Sequence, residues 1–221
     1  MRTIVIGDVH GCYEELMVLM RKLKGENEYN EETDKLIFLG DYVDRGPDSK
    51  KVVDYVRELQ KNNDKVIALC GNHEDMMIKF HANISKSWIY NGFEATIKSY
   101  KRNEEDIKDA VDWMITLPIY HEDDHFVYVH AGVVPGVPMG EQDPEDLLWT
   151  REEFIFNPKK HDKKVIFGHT PSLYVKNNHY PYSTEAENFC IDTGCVYGGR
   201  LTALIIEDDE IKKFIQVTRK D

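Results

Sequence analysis

"KLIFLGDYVDRGP", Lys35 to Pro47, joins an apolar run to three charged residues set between two glycines. Leu36-Ile37-Phe38-Leu39 is too short for a helix and reads as a buried strand. Gly40 and Gly46 bracket Asp41, Asp44 and Arg45, a turn-like composition. A helical pattern follows. Ser49–Gln60 places Val52, Val53, Val56 and Leu59 on one face, with Asp48 or Ser49 as the expected N-cap. Strand, polar turn and helix make one unit of an α/β fold.

That unit recurs along the chain. Thr3–Ile6 precedes Tyr13–Leu23, which carries Leu16, Leu19, Met20 and Leu23 on one face, and Lys65–Leu69 is a third short apolar run. His125–Val129, Lys164–Phe167, Asn188–Ile191, Leu201–Ile206 and Ile211–Val217 are further strands by length and by their Val, Ile and Phe content. Alternation in the first half predicts a largely parallel sheet, whereas the strand-after-strand last third predicts mixed pairing. Residues 74–118 hold several helical patterns and no clear strand, and are expected to form a helical insertion. The expectation is one α/β domain over residues 1–221.

Composition narrows the function classes. Of the 221 residues, 41% are hydrophobic and 31% charged, which suits a soluble globular chain. A net charge of −12 argues against nucleic acid as a partner, because duplex binding needs clustered Lys and Arg. No apolar run approaches the roughly 18 residues of a membrane span. Strand-like sequence directly after Met1 leaves no room for a signal peptide, so a cytoplasmic protein is expected. Cys12, Cys70, Cys190 and Cys195 form no CxxC pair and are expected to be reduced thiols.

The polar residues fall in a pattern. Ile6 is followed by Gly7-Asp8-Val9-His10-Gly11, and Leu39 by Gly40-Asp41 with Asp44-Arg45-Gly46. Cys70 is followed by Gly71-Asn72-His73-Glu74, Val129 by His130-Ala131-Gly132, and Phe167 by Gly168-His169-Thr170. Any one of these is an ordinary turn. Five together are not, because the carboxyl ends of strands in open α/β sheets form the ligand crevice. His81, His121, His125, His161 and His179 lack this placement and read as surface or satisfied residues.

The donor types define a metal class. Asp8, His10, Asp41, Asn72, His130 and His169 offer oxygen and imidazole donors without thiolate, which suits Mn, Fe, Zn or Co. Six ligands are too many for one catalytic ion that must keep open positions. They suit two divalent ions sharing one carboxylate, able to hold a bridging hydroxide near neutral pH and to attract phosphate.

GDVHG, GDYVDRG, GNHE, HAG and GHT, in this order, resemble the phosphoprotein-phosphatase branch of the calcineurin-like metallophosphoesterases. The steps of 33 residues from Asp8 to Asp41 and 31 from Asp41 to Asn72 agree. "WIYNGFEATIKSY" (88–100), "LLWTREE" (147–153) and "IDTGCVYGGRLTAL" (191–204) are similar to bacterial and phage members of the phage lambda phosphatase type. The resemblance implies two mixed β-sheets forming a sandwich flanked by helices, with a two-metal site at its edge. It implies that Asp8, His10 and Asp41 bind one ion, and that Asp41, Asn72, His130 and His169 bind the other, most often Mn with Fe or Zn as alternatives. His73 matches the general acid and Asp44 its orienting carboxylate. Arg45, Asn72 and Arg151 match the phosphate-binding residues, the two arginines as bidentate clamps.

The expected activity is hydrolysis of phosphoserine and phosphothreonine in proteins or peptides by the bridging hydroxide. A symmetrical diadenosine tetraphosphate hydrolase is the alternative, since it shares the first three motifs. A third, non-catalytic reading is a phosphate-recognising adaptor; the presence of His73, Asp44 and every ligand speaks against it. HAG replaces the HGG of eukaryotic catalytic subunits, so regulatory-subunit docking is not implied. Phe93 replaces a second glycine after Gly92, and Tyr197 is left outside the expected site. No aromatic pair for a nucleoside is evident in residues 74–118, where Trp88, Tyr90, Phe93 and Tyr100 read equally well as packing residues.

Overall fold

The structure is a computed structural model that describes residues 2–26, 29–102 and 106–220. Its strands are β1 (Arg2–Ile6), β2 (Lys35–Phe38), β3 (Val66–Ala68), β4 (Tyr120–Glu122), β5 (Phe126–Val129), β6 (Lys164–Phe167), β7 (Tyr182–Ser183), β8 (Phe189–Cys190), β9 (Arg200–Glu207) and β10 (Glu210–Thr218). The helices are α1 (Tyr13–Glu26), α2 (Ser49–Asn62), α3 (Asn72–His81), α4 (Phe93–Arg102), α5 (Lys108–Met114), α6 (Pro144–Trp149), α7 (Glu152–Ile155) and α8 (Ser172–Lys176).

Two mixed five-stranded sheets result, in the orders β10-β9-β1-β2-β3 and β4-β5-β6-β8-β7. Each has a parallel triplet, β1-β2-β3 or β5-β6-β8, edged by antiparallel strands. Side chains alternate along each strand, which divides the core into three layers. Val5, Ile37 and Leu39 meet Phe126, Tyr128 and Ile166 between the sheets. Ile4, Ile6 and Phe38 face outward onto Leu16, Leu19, Leu23, Val52 and Val56 of α1 and α2. On the other flank Val127, Val165 and Phe167 pack against Leu147 and Phe154. Each such fully buried side chain contributes about 1.5–3 kcal/mol, enough in sum to fix the strand ends that carry the polar loops.

Three local expectations need revision. Asp48 takes the N-cap position of α2, but its carboxylate pairs with Lys51 at 3.3 Å and Arg102 at 3.4 Å and caps nothing. The helical block starts at Asn72 rather than Glu74, so two predicted site residues lie in the first turn of α3. The edge strands β4 and β7, three and two residues long, are too short for periodicity to reveal. All four cysteines are buried and free. No described helix is long and apolar enough to cross a membrane.

Candidate dinuclear metal site

The loops leaving both parallel triplets converge at one edge of the sandwich. Among the described residues ten non-glycine positions have positive φ, and His10, Asp41, Asp44, Arg45 and His169 are five of them. Such conformations cost of order 1–3 kcal/mol each and persist only where surroundings enforce them. Here Glu74 is the enforcer. Its buried carboxylate accepts N–H bonds from Asp41 (2.7 Å), Tyr42 (2.9 Å), Val43 (3.3 Å) and Gly71 (2.9 Å). The Asp41 carbonyl in turn accepts from His10 N–H at 2.8 Å, tying the β1 and β2 loops together. Gly40, at φ +101°, has no room for a Cβ, which would lie 2.5 Å from the Gly71 nitrogen.

Asp41 sits at the centre. Its carboxylate oxygens lie 3.2 Å from His10 Nε2, 3.4 Å from His130 Nε2 and 4.0 Å from His73 Nε2. Burial works against its charge, yet the surrounding His130, His73 and His10 hold it well below the usual carboxylate range. Two clusters of metal-capable atoms share it: His10, Asp41 and His73, and Asp41, His130 and His169.

The donor set fits cations on the structure's own terms. The Leu39 carbonyl can only accept, so His130 donates Nδ1–H to it (3.0 Å) and turns an unprotonated Nε2 inward. Burial pushes His130 down to about 4, which keeps it in that neutral form. Its Nε2 lies 2.8 Å from Asn72 Oδ1 and 3.4 Å from Asp41 Oδ1, so three acceptors face one another. Asp8 adds a fourth signal. Its Oδ2 accepts His169 N–H at 3.0 Å, while the buried Oδ1 has no partner. Burial and the nearby Asp192 and Asp41 charges push its carboxyl well up. Converging lone pairs and an orphaned buried carboxylate oxygen are what a bound cation relieves.

The remaining predicted residues surround this centre. His73 donates Nδ1–H to Asp44 Oδ2 at 2.6 Å. Asp44 is fully buried, and also accepts from Trp88 Nε1 at 2.8 Å and Thr96 Oγ1 at 2.6 Å. Burial lowers His73 against the pull of Asp41 and the Asp44 hydrogen bond. Arg45 is exposed and its Nη1 points at His10 Nε2, 2.5 Å away. Arg151, just ahead of α7, donates Nη1–H to Thr170 Oγ1 at 2.9 Å and His169 O at 3.2 Å. Asn72, His73, Arg45, Arg151 and His169 thus line one pocket of about 60 Å³, the size of a phosphoryl group and little more.

Several site residues escape the sequence reading. Asp192 also lines this pocket, 4% exposed, accepts Gly194 N–H at 2.9 Å and is pushed up to about 6 by burial. Ile191-Asp192-Thr193-Gly194 follows β8, so it was a sixth strand end with a carboxylate and a glycine. Tyr174 and Tyr197 wall the mouth with ring centroids 6.2 Å apart, and Arg45 lies 5.6 Å from the Tyr197 ring. His81, His121, His125, His161 and His179 take no place in the pocket.

Comparison with known proteins agrees with this geometry at the level of family. The family described as calcineurin-like phosphoesterase matches residues 1–210. A bis(5'-nucleosyl)-tetraphosphatase PrpE (asymmetrical) of Anoxybacillus flavithermus is 31% identical over 230 residues, covering 90% of this chain and 88% of the relative. A symmetrical bis(5'-nucleosyl)-tetraphosphatase of Erwinia tasmaniensis is 32% identical over 291 residues, covering 100% and 99%. Among solved structures, a protein serine/threonine phosphatase of Saccharomyces cerevisiae superposes with a TM-score of 0.68 at 17% identity, covering 100% of this chain and 80% of that one.

Proposed function

The chain belongs to the calcineurin-like phosphoesterases, and from that premise we propose that it hydrolyses a phosphoanhydride bond of dinucleoside polyphosphates. Asp8, His10 and Asp41 would hold one divalent ion and Asp41, Asn72, His130 and His169 a second, with manganese the expected metal. Bound ions supply Lewis-acid charge and activate water for in-line attack on phosphorus. The chain's own groups do the rest. Arg45 and Arg151 take the phosphoryl oxygens with planar guanidinium forks. His73, its Nδ1–H held by Asp44, would act as the imidazolium, the form that Asp41 and Asp44 favour, and pass its Nε2 proton to the departing oxygen.

The observation that carries the substrate class is the pocket mouth. At about 60 Å³ the pocket is far smaller than a nucleotide, so the rest of the substrate rests on what surrounds it. Tyr174 and Tyr197, 67% and 40% exposed, pack edge to face there, and base stacking on an exposed aromatic ring contributes about 1–3 kcal/mol per base. This is the aromatic pair that residues 74–118 do not provide.

Phosphoserine and phosphothreonine hydrolysis, ranked first on the motifs alone, uses the same centre and becomes the second reading. The yeast phosphatase is too distant in sequence to speak for more than the fold, whereas the tetraphosphatases of Anoxybacillus flavithermus and Erwinia tasmaniensis, both above 30% identity, are named for dinucleoside tetraphosphates. Manganese-loaded protein should cleave a dinucleoside tetraphosphate with a higher kcat/KM than a phosphoserine peptide. Chromatography of the nucleotides would tell asymmetric cleavage, giving a triphosphate and a monophosphate, from symmetric cleavage into two diphosphates. Faster turnover of the phosphopeptide would reverse the ranking.

A further inference from the structure

Arg45 belongs to two concavities. It closes one side of the phosphoryl pocket and also walls a hollow of about 730 Å³ between the Arg45–Pro47 turn and α4. Pro47, Gly92 and Ala95 form the floor, and Lys98, Lys101 and Arg102 stand along the rim. Gly92, at φ +96°, lets Arg45 lie against this floor, because a Cβ there would be 2.9 Å from Arg45 Cγ.

The hollow has the wrong charge for its chain. The protein carries a net −12, yet four cations surround this space, with Glu94 as the one acidic lining residue among the described residues. The two lysines are only weakly engaged. Lys98 meets Glu94 at 3.8 Å with both side chains about three-quarters exposed, and Arg102 reaches the Pro47 carbonyl and Asp48. Lys101 has no ion pair among the described residues. Exposed pairs of this kind contribute about 0–1 kcal/mol, so an incoming polyanion displaces little.

Resting on the dinucleotide reading above, we propose that this hollow is the subsite for the substrate's second nucleotide arm. The phosphates beyond the attacked one pass over Arg45 toward Lys98, Lys101 and Arg102, and the attached nucleoside lies on the Pro47–Gly92–Ala95 floor. The tyrosines serve the first arm at the mouth of the pocket. Charge complementarity selects the occupant: a chain of phosphates presents several anionic groups in a row, while a phosphoserine side chain presents one.

The test is the ratio of two specificities in the manganese-loaded protein, kcat/KM for a dinucleoside tetraphosphate over kcat/KM for an aryl phosphate. In a Lys98→Glu/Lys101→Glu double variant this ratio should fall roughly tenfold, the effect of turning two exposed attractions into repulsions. The difference should shrink as ionic strength rises. Lys213→Glu, on the outer strand β10, should keep the wild-type ratio. An unchanged ratio in the double variant, or an equal fall in Lys213→Glu, overturns the subsite and leaves the functional reading standing. No cleavage of the dinucleotide by the wild-type chain overturns that reading, and this subsite with it.

Discussion

The two sheets bring different chemistry to the shared edge and brace it differently. From the first sheet come Asp8, His10, Asp41, Asp44, Arg45, Asn72 and His73, on loops held by buried carboxylates: Glu74 on four backbone N–H groups, Asp44 on His73, Trp88 and Thr96. From the second come His130, His169 and Asp192, on loops held by main chain. Gly168 N–H donates to His130 O at 2.8 Å and Ser172 N–H to Asp192 O at 2.9 Å. The second sheet's histidines then lean on the first, His130 through its ring to Leu39 O, and His169 through its backbone N–H to Asp8 and its ring to Asn72. The first side therefore holds the proposed proton donor His73 and Arg45, one of the two proposed phosphate clamps, as well as candidate metal ligands. The second side adds candidate ligands and Arg151 to a geometry the first has set.

If that division is right, the largest selective effect lies on the first side. His73→Asn should slow phosphoserine hydrolysis by roughly 10²–10⁴, the usual worth of a general acid, because a serine alkoxide is a very basic leaving group. Dinucleoside tetraphosphate and aryl phosphate hydrolysis should suffer less, since their leaving oxygens are weaker bases. Steady-state rates on the three substrates decide it. Equal losses on all would place His73 with the metal ligands, as its 4.0 Å approach to Asp41 also allows, and the contrast between the sheets would fade.

The sequence makes the candidate ligands legible for a physical reason. A strand ends, a glycine lets the chain turn, and a donor follows; all of that is local, and it located Asp8, His10, Asp41, Asn72, His130 and His169. What joins them is not local. Nothing near Glu74 in the chain says that N–H groups from residues 41, 42, 43 and 71 will converge on it. Trp88 reads as a packing residue, and it is one, but its N–H also reaches Asp44, 44 positions away. The basic hollow likewise exists only because α4 folds back beside the Arg45–Pro47 turn. The eight expected strands were legible for the same local reason, and the short edges β4 and β7 were not, since pairing rather than pattern makes them strands.

Asp192 tests the other side of the comparison with a smaller effect. It obeys the strand-end rule, faces the pocket and helps to push Asp8 up, so it should act as an outer carboxylate that favours bound cations. Asp192→Asn keeps the shape and the Gly194 hydrogen bond. It should weaken manganese binding roughly 10–100-fold, the usual range for outer partners of a metal site, in calorimetric titration. Unaltered affinity would reduce Asp192 to a backbone prop and leave His130 and His169 as the second sheet's candidate ligands.

The smallest effect sharpens the bracing argument. Trp88 packs against Phe80 and Phe93, with ring centroids 5.3 and 5.5 Å away, so Trp88→Phe retains an aromatic body there and mainly removes the N–H to Asp44. Leaving a buried carboxylate short of one donor costs about 1–3 kcal/mol, to be read as a lower denaturation midpoint. Asp44 would still hold His73 and Thr96, so phosphoserine turnover should fall by less than in His73→Asn. The ordering is the informative part. A loss as large as that of His73→Asn would mean that the indole fixes the His73–Asp44 pair, and that a residue of the helical block, rather than the strand-end loop, sets the geometry of proton delivery.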